Sequence, residues 1–360
     1  MGVTGVTFRR RRSYAALDRI WTRGREFLDS EFAIMGGAMS WVSERHLVAA
    51  ISEAGGFGVL ASGSMTPELL AAEIAATQAL TKRPFGVNLI TMHPQLGDLI
   101  EVCRDAHVGH VVLAGGLPTS AAIKQTRSFA RVLCFAPALV LAKKLIRAGA
   151  DALVIEGAEA GGHIGPVSTS VLAQEILPEV GGSVPVFVAG GIGRGEAMLN
   201  YLEMGASGVQ LGTRFVCAFE CVAHPRFKQT FIRAAARDAV VSVQVDPLFP
   251  VIPVRAIANA GTERFLDVQR TVVEKYHRGE MDQKAAQLEI ENFWAGALRR
   301  AVIEGDVENG SLMAGQSVGM VTREQSVSDI LAEVITQALD ALERRGSVSD
   351  ADAPDPRDVA

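Results

Sequence analysis

The segment Glu156–Gly165, of sequence EGAEAGGHIG, sets a single histidine among four glycines. Glycines let the main chain approach a planar or anionic ligand closely, because no Cβ stands in the way. The imidazole of His163 can hold or move a proton near neutral pH. The segment therefore indicates a cofactor held by main chain with one titratable group at the reacting atoms; a glycine-rich turn without catalytic role is the alternative.

Two further glycine-bearing turns, Ala189–Gly193 and Gln210–Thr213, each follow an apolar run. Loops in these positions form the usual phosphate site of barrel enzymes, where backbone N–H groups bind the anion. The alternative is that each turn only needs a positive φ. Because several such turns occur in register, we predict a phosphate-bearing cofactor. The candidate residues here are Gly190, Gly191, Gln210, Gly212 and Thr213.

Three more segments carry candidate ligand contacts. Asn88 ends an apolar run, where its side-chain amide can pair with the edge of a flat heterocycle or instead cap the next turn. The segment Gly36–Met39 could lay main chain against a ring face. The small-residue segment Gly310–Gln316 suggests a loop that folds back over the site, with a helix–helix turn equally compatible. The candidates from the last two segments are Gly37, Met39, Met313, Gly315 and Gln316.

Eight short apolar runs, each followed by a helical pattern, would position these residues. They are apolar on both faces, as fully buried parallel strands are. Eight strand–helix alternations predict a (β/α)8 TIM barrel with its site at the carboxyl ends of the strands, and a doubly wound open sheet is the rival. The predicted strands are Phe32–Met35, Gly58–Ala61, Pro84–Asn88, His110–Leu113, Val132–Phe135, Ala152–Ile155, Val184–Ala189 and Gly208–Leu211.

The barrel pattern ends near residue 214. We expect an N-terminal extension over residues 1–30, the α/β barrel over 31–214, and a smaller, mainly helical domain or lid over 215–324. The amphipathic stretch 325–345 predicts a C-terminal helix that returns to the barrel. Residues 346–360 are rich in Asp, Pro and Ser and predict a disordered tail.

Composition narrows the function classes. The formal net charge of −5 gives no general attraction to nucleic acid or to an anionic membrane, and the run Arg9–Arg12 is interpreted as a solvated helix start. No apolar stretch is long enough for a transmembrane helix or a secretory signal. The four cysteines form neither a metal pattern nor a disulfide framework, so we expect a reduced, cytoplasmic protein without a metal.

These motifs together resemble the nitronate monooxygenase (2-nitropropane dioxygenase) family of FMN-dependent barrel enzymes, which also contains FMN-dependent enoyl-acyl-carrier-protein reductases. The resemblance covers about Phe32 to Leu342. It is carried by Gly55–Gly58, Pro84–Asn88, Glu156–Gly165, Ala189–Ile192, Gln210–Phe215, Ala223–Pro225 and Gly305–Gln316. It implies FMN at the barrel mouth, with His163 as the catalytic histidine. The flavin contacts that it implies are Asn88, Glu156, Gly161, Gly162, Gly191 and Gln210 to Thr213.

The resemblance implies oxidation of alkyl nitronates with O2 to a carbonyl compound and nitrite. The alternative is an NADH-dependent enoyl-acyl-carrier-protein reductase, for which an acyl carrier protein would present the substrate. Glu156 favours that alternative, because many monooxygenases of the family have glutamine there, and Gly36 departs from a glutamine that is frequent near the flavin. A flavin-free barrel that binds phosphorylated metabolites is a third hypothesis. The resemblance also allows a homodimer.

Overall fold

The computed structural model describes residues 8, 11, 13–246, 249 and 251–351. Arg9, Arg10 and Arg12 of the arginine run lie outside the described residues, as do residues 352–360 of the predicted tail. All eight predicted strands form. With the short strand that follows the sixth, they are β1 Ile34–Gly36, β2 Gly58–Ala61, β3 Phe85–Ile90, β4 His110–Ala114, β5 Arg131–Phe135, β6 Ala152–Glu156, β7 Gly162–His163, β8 Val186–Ala189 and β9 Gly208–Leu211.

The barrel strands are all parallel and follow the order β1-β9-β8-β6-β5-β4-β3-β2. The sheet returns to its first strand through a parallel bridge between Met35 and Phe57. There, the Gly36 N–H donates to the Phe57 carbonyl at 2.8 Å, and the Phe57 N–H donates to the Ile34 carbonyl at 2.9 Å. An open doubly wound sheet has two free edges, so this closure confirms the (β/α)8 barrel.

Helices flank the barrel and follow the predicted alternation. Their ends match local sequence signals: Thr66 accepts a hydrogen bond from the Leu69 N–H at one N-terminus, and Gly149 ends another helix with φ of 110°. The helices up to the last barrel strand are α1 Tyr14–Leu28, α2 Arg45–Glu53, α3 Pro67–Leu80, α4 Leu96–Asp105, α5 Ser120–Arg127, α6 Leu139–Ala148, α7 Thr169–Val180 and α8 Gly195–Glu203.

A compact apolar cluster fills the interior of the barrel. Its members alternate along the strands, as side chains that face one side of a sheet must. Helix α1 ends in this cluster, where Leu28 is fully buried and the Phe27 carbonyl accepts a hydrogen bond from His110 Nε2 at 2.8 Å. Burial lowers the pKa of His110. The cluster members are Leu28, Met35, Phe57, Val59, Val112, Leu133, Ala152, Val154, Phe187 and Ala189.

The predicted N-terminal extension is therefore partly built into the barrel. The rings of Phe57 and His110 meet edge to face with centroids 4.9 Å apart, and Phe27 packs against the same histidine at 5.6 Å. His110 begins β4, so these rings fill the amino end of the barrel. The opposite end, where the strands finish, is left for polar residues.

The segment predicted as a mainly helical domain over 215–324 contains two short strands beside its helices. Strands β10 Ala239–Val241 and β11 Val254–Ile257 pair antiparallel, and β11 pairs on its other side with β7. These strands are too short to carry a period-two pattern, and β7 is a glycine and a histidine. The helices of this part are α9 Thr213–Val216, α10 Pro225–Arg233, α11 Ala260–His277 and α12 Gln283–Arg299, followed by a π-helical turn at Arg300–Glu304.

This inserted part has its own apolar cluster, in which α11, α12 and β11 bury side chains against one another. The rings of Phe265 and Trp294 lie 4.1 Å apart at its centre. This separate apolar cluster packs β11 against the helices of the inserted part and so stabilises the sheet that β11 forms with β10 and β7. The cluster comprises Phe249, Val254, Phe265, Val272, Val273, Ala286, Ile290 and Trp294.

The chain returns to the barrel in the long helix α13, Val327–Ala351, which passes the predicted end at residue 345. It lies directly on α8, because a Cβ added at Gly195 would meet the Val334 carbonyl oxygen at 1.9 Å. Arg11 forms ion pairs with Asp340 and Glu343 of this helix at 2.7 and 2.6 Å. One residue of the arginine run thus binds the C-terminal helix.

Candidate active site

Three polar side chains cap the apolar interior at the carboxyl ends of the strands. Glu156 continues the inward-facing series of Ala152 and Val154 in β6. Gln210 follows Gly208 by two residues, and a Cβ added at Gly208 would touch the ring of the interior residue Phe187 at 2.7 Å. Strand pairing aligns Glu156 with Ala189 and Ala189 with Gln210. Asn88 holds the corresponding position in β3, two residues after Gly86.

These three side chains receive no hydrogen bond or ion pair from any group in the described part of the chain. Asn88 and Gln210 are nevertheless only 5% and 8% exposed. Their polar atoms keep access to the space at the barrel mouth, because neither amide is among the side-chain atoms that are shielded from solvent without a partner. An amide in this position is free to pair with a ligand. Their arrangement at one end of the barrel indicates a polar ligand that supplies the missing partners.

Glu156 differs from the two amides because it can ionise. It is half-buried, and loss of hydrating water raises the pKa of its carboxyl to about 8. A carboxyl with this pKa is mainly protonated at neutral pH, so it donates as well as accepts a hydrogen bond. In that state it presents no negative charge to an electron-rich ligand.

The turn that follows β8 has glycine at two adjacent positions that require it. Gly190 and Gly191 follow β8 with φ of 96° and 73°. A Cβ added at Gly190 would lie 2.9 Å from Thr169 Oγ1, and one at Gly191 would lie 2.9 Å from the Cβ of Glu159. This single turn therefore requires glycine at both positions, because of its backbone conformation and because Thr169 and Glu159 occupy the space a side chain would need.

The loop after β1 closes against the end of β9. The Gly37 N–H donates to the Leu211 carbonyl at 2.8 Å. A Cβ added at Gly37 would lie 3.5 Å from Gly212 Cα, and one at Gly212 would lie 3.5 Å from the sulfur of Met39. These are ordinary contacts, so glycine is not sterically required at either position, and the predicted residues Gly37, Met39 and Gly212 share one side of the barrel mouth.

The segment 313–316 lies against the loop that carries His163. The Gly315 N–H donates to Thr213 Oγ1 at 3.0 Å, and the Gln316 N–H donates to the Glu159 carbonyl at 2.9 Å. A Cβ added at Gly161 would lie 2.5 Å from the nitrogen of Gly315. The Thr213 hydroxyl accepts in this contact and keeps its own hydrogen for a ligand.

Met313 completes this contact. Its sulfur would lie 3.5 Å from a Cβ added at Gly162, whose φ of 79° already favours glycine. Met313 also forms an antiparallel bridge with Ala256 of β11. The segment 313–316 is thus joined both to the loop after β6 and to the inserted sheet.

His163 is exposed, and the inserted sheet fixes its backbone. It pairs with Val254 of β11, and the next N–H, of Ile164, donates to the Pro253 carbonyl at 2.9 Å. It lies seven residues after Glu156 in one loop. The structure therefore holds the backbone of His163 on the inserted sheet, in the segment that follows Glu156.

Three residues of this region, Glu159, Thr169 and Arg255, were not predicted from the sequence. The carboxylate of Glu159 accepts hydrogen bonds from Thr169 N and Oγ1, both at 2.8 Å. Arg255 is buried in β11, and burial lowers the pKa of its guanidinium. The signals were present: Glu159 lies inside the histidine motif, and Arg255 interrupts the otherwise uncharged run 249–258.

Several other chemistries receive no support from the described residues. Among them, no three His, Cys, Asp or Glu side chains group as metal ligands do, and no helix is long and apolar enough to span a membrane. The four cysteines are buried and reduced. Burial raises the pKa of Cys103 and of Cys134 to about 12, which keeps these thiols protonated and unreactive.

The family model for nitronate monooxygenases matches residues 22–109 and 97–337. The (3aS,4S,5R,7aS)-5-hydroxy-7a-methyl-1-oxo-octahydro-1H-indene-4-carboxyl-CoA dehydrogenase of Mycobacterium tuberculosis is 30% identical, and the match covers 90% of this chain and 98% of that protein. A probable nitronate monooxygenase of Staphylococcus saprophyticus is 25% identical, with coverage of 91% and 100%. Among solved structures, FabK from Thermotoga maritima superposes with a TM-score of 0.79 at 34% identity, covering 90% of this chain and 98% of FabK.

Proposed function

The chain belongs to the nitronate monooxygenase family and is an oxidoreductase; on that premise, we propose that it binds FMN at the carboxyl end of its barrel. The residues present fit this cofactor. Asn88, Glu156 and Gln210 offer hydrogen bonds that no described protein group satisfies, as the polar edge of a flavin ring requires. These three side chains carry the proposal, because they stand together at one end of the barrel with hydrogen-bonding groups free for a ligand.

The glycine turns would hold the rest of the cofactor. We place its phosphate at the backbone of Gly190, Gly191 and Gly212, with the Thr213 hydroxyl as a donor, because glycine turns at the ends of barrel strands can present backbone N–H groups to an anion. When bound, FMN supplies the hydride or electron transfer, which protein side chains cannot provide. The remaining residues that we expect around it are Gly37, Met39, Gly161, Gly162, Met313, Gly315 and Gln316.

We infer that the substrate is an acyl thioester that is oxidised or reduced at the carbons next to its carbonyl. Two observations support this substrate. The relative that is 30% identical over nearly its whole length is a carboxyl-CoA dehydrogenase. Burial raises the pKa of Glu156 to about 8, which favours the protonated carboxyl near neutral pH; that form can donate a hydrogen bond, for example to a thioester carbonyl, whereas an ionised carboxylate can only accept one.

His163 would handle the proton in this reaction. Oxidation of a thioester at Cα–Cβ removes a proton from Cα, and reduction returns one to the same carbon. His163 is exposed, and its backbone is fixed by pairing with Val254, so its imidazole can exchange that proton with solvent between turnovers. The same histidine would take the proton of a nitroalkane or hold a nitronate.

Nitronate oxidation is the second candidate, supported by the family model and by the probable nitronate monooxygenase that matches along its full length. A saturated thioester and a nitroalkane are both carbon acids, and their anions, an enolate and a nitronate, are stabilised by the adjacent carbonyl or nitro group. Asn88, Glu156, Gln210 and the glycine turns that would hold the cofactor therefore serve either chemistry. The choice depends on which substrate the mouth admits.

Absorption spectra of the purified protein under anaerobic conditions separate these functions. For the thioester function we expect a flavin spectrum that is bleached by a saturated acyl-CoA, or bleached by NADH and restored by an enoyl-CoA. Rapid O2 uptake with an alkyl nitronate in the absence of NADH, with no response to either thioester, would support nitronate oxidation instead. A colourless protein that takes up no added FMN would refute the cofactor proposal.

A further inference from the structure

Arg255 is a buried cation held by backbone oxygens. Its residue is 8% exposed, its Nε donates to the Ala158 carbonyl at 2.9 Å, and its Nη1 donates to the Ala239 carbonyl at 2.6 Å. No carboxylate in the described part of the chain lies within ion-pair distance of it. Burying a charge without a close counter-ion is costly. An apolar side chain would serve packing at lower cost, so the position of this guanidinium calls for another explanation.

The two carbonyls belong to different parts of the molecule. Ala239 begins β10 of the inserted sheet, and Ala158 lies two residues after Glu156 in the loop that follows β6. Arg255 itself is aligned with Gly162 in the pairing of β11 and β7. The loop is therefore attached to the inserted sheet at its far end by strand pairing and near its start by the Arg255 side chain.

The attachment near Ala158 also supports the turn after β8 that contains Gly190 and Gly191, called the glycine cradle below. The next residue, Glu159, receives the Thr169 N–H and hydroxyl at 2.8 Å and packs its Cβ against Gly191. The negative charge of Glu159 acts on the Arg255 guanidinium through space. A displacement of the loop at Ala158 would thus shift both the turn that follows β8 and the positions of Glu156 and His163.

We propose that Arg255 is a positioning residue: by joining Ala158 to the inserted sheet, it sets the position of the loop between Glu156 and His163 relative to the glycine turn Gly190–Gly191. The catalytic part of this proposal rests on the proposed function. Its structural part does not, because the attachment of the loop can be measured without a substrate. A displacement of about 1 Å at reacting groups lowers turnover by up to about a hundredfold.

The test compares Arg255→Met and Arg255→Lys with the wild type. Methionine keeps much of the side-chain volume and removes both hydrogen bonds, while lysine keeps the charge but lacks the planar fork that reaches two carbonyls. Arg131→Met is the matched control. Arg131 also donates to two backbone carbonyls, that of Glu26 at 3.2 Å and that of Phe27, but it lies at the amino end of the barrel. For each protein we would measure amide hydrogen exchange, FMN affinity, kcat and KM.

In Arg255→Met we expect amide exchange across residues 156–165 to accelerate at least about tenfold, while the helices around the barrel keep their protection. We expect kcat to fall about tenfold or more with KM changed less than about threefold, a partial return of both in Arg255→Lys, and no such change in Arg131→Met. Unchanged exchange in this loop in Arg255→Met would overturn the proposal. If Arg255→Met does not fold, the test uses Arg255→Lys instead, and a wild-type rate of amide exchange across residues 156–165 in that variant would overturn the proposal.

These outcomes separate the inference from the proposed function. If the wild type acts on neither thioesters nor nitronates, the function fails, and the exchange comparison still decides whether Arg255 holds the loop. If turnover is present but the variants lose it only in proportion to lost FMN, Arg255 acts through cofactor binding and not through loop position, which also overturns the proposal.

Discussion

Replacement of Glu156 by glutamine should change how the stability of the protein depends on pH. Burial raises the pKa of this carboxyl to about 8, compared with about 4.3 for an unfolded glutamate. Below the unfolded pKa both states are protonated, so the folded state is not penalised. As pH rises toward 8, the unfolded state ionises first, and the wild type loses free energy of unfolding until the folded carboxyl also ionises.

The size of this loss follows from the pKa shift. Each pKa unit corresponds to about 1.4 kcal/mol, so a shift of nearly four units sets an upper limit of about 5 kcal/mol. Because Glu156 is only half-buried, water at the mouth stabilises the charged form. We therefore expect about 2–3 kcal/mol. Glutamine keeps the shape and cannot ionise, so its advantage over the wild type should grow by this amount across the interval.

Urea unfolding of cofactor-depleted wild type and Glu156→Gln at a series of pH values between about 4 and about 9 measures this difference. Glu203→Gln removes an exposed carboxylate from the outer surface of α8 and serves as the control. We expect the free energy of unfolding of Glu203→Gln to change with pH as that of the wild type does. If the Glu156→Gln curve also runs parallel, the carboxyl is not held protonated by burial, and its assignment as a hydrogen-bond donor to the ligand is wrong.

Two further substitutions test the site. His163→Ala should retain FMN, which the cradle holds largely by main chain, and should lower kcat/KM by about a hundredfold or more, as loss of a general acid–base does; loss of flavin together with activity would make the histidine structural. Gly161→Ala should weaken FMN binding and destabilise the fold by about 1–3 kcal/mol, because the added Cβ meets backbone atoms of residues 314 and 315 at 2.5 Å. Gly165→Ala is its control, since a Cβ there meets nothing within 4 Å, and equal effects of the two changes on FMN affinity would contradict the steric argument.

The sequence was sufficient to predict the barrel because its strands are apolar on both faces. The first strand was predicted at Phe32–Met35 and forms at Ile34–Gly36, and the others begin and end within two residues of their predicted bounds. Asn88 and Gln210 could be selected because they stand at or near the carboxyl ends of their predicted strands, although β3 in the structure continues to Ile90. Their lack of protein partners emerged only from the structure.

Interactions between distant segments were not predictable in this way. The strand β7 consists of a glycine and a histidine, which pair with a segment about ninety residues further along the chain. No local sequence pattern marks these two residues as a strand. The same holds for Arg255, whose role depends on two carbonyls that only folding brings to it. The substrate stays a prediction because the residues that would hold the cofactor are compatible with both chemistries.

The contact between helix α1 and the amino end of the barrel has a practical consequence for work with fragments. A boundary placed after the first thirty residues would look safe, since the repeating units begin beyond it. Such a truncation would remove Phe27 and Leu28 and open the lowest layer of the barrel interior to water. The smallest fragment that can be expected to fold as a barrel therefore starts before Tyr14, and tags or fusions at the N-terminus should leave this helix intact.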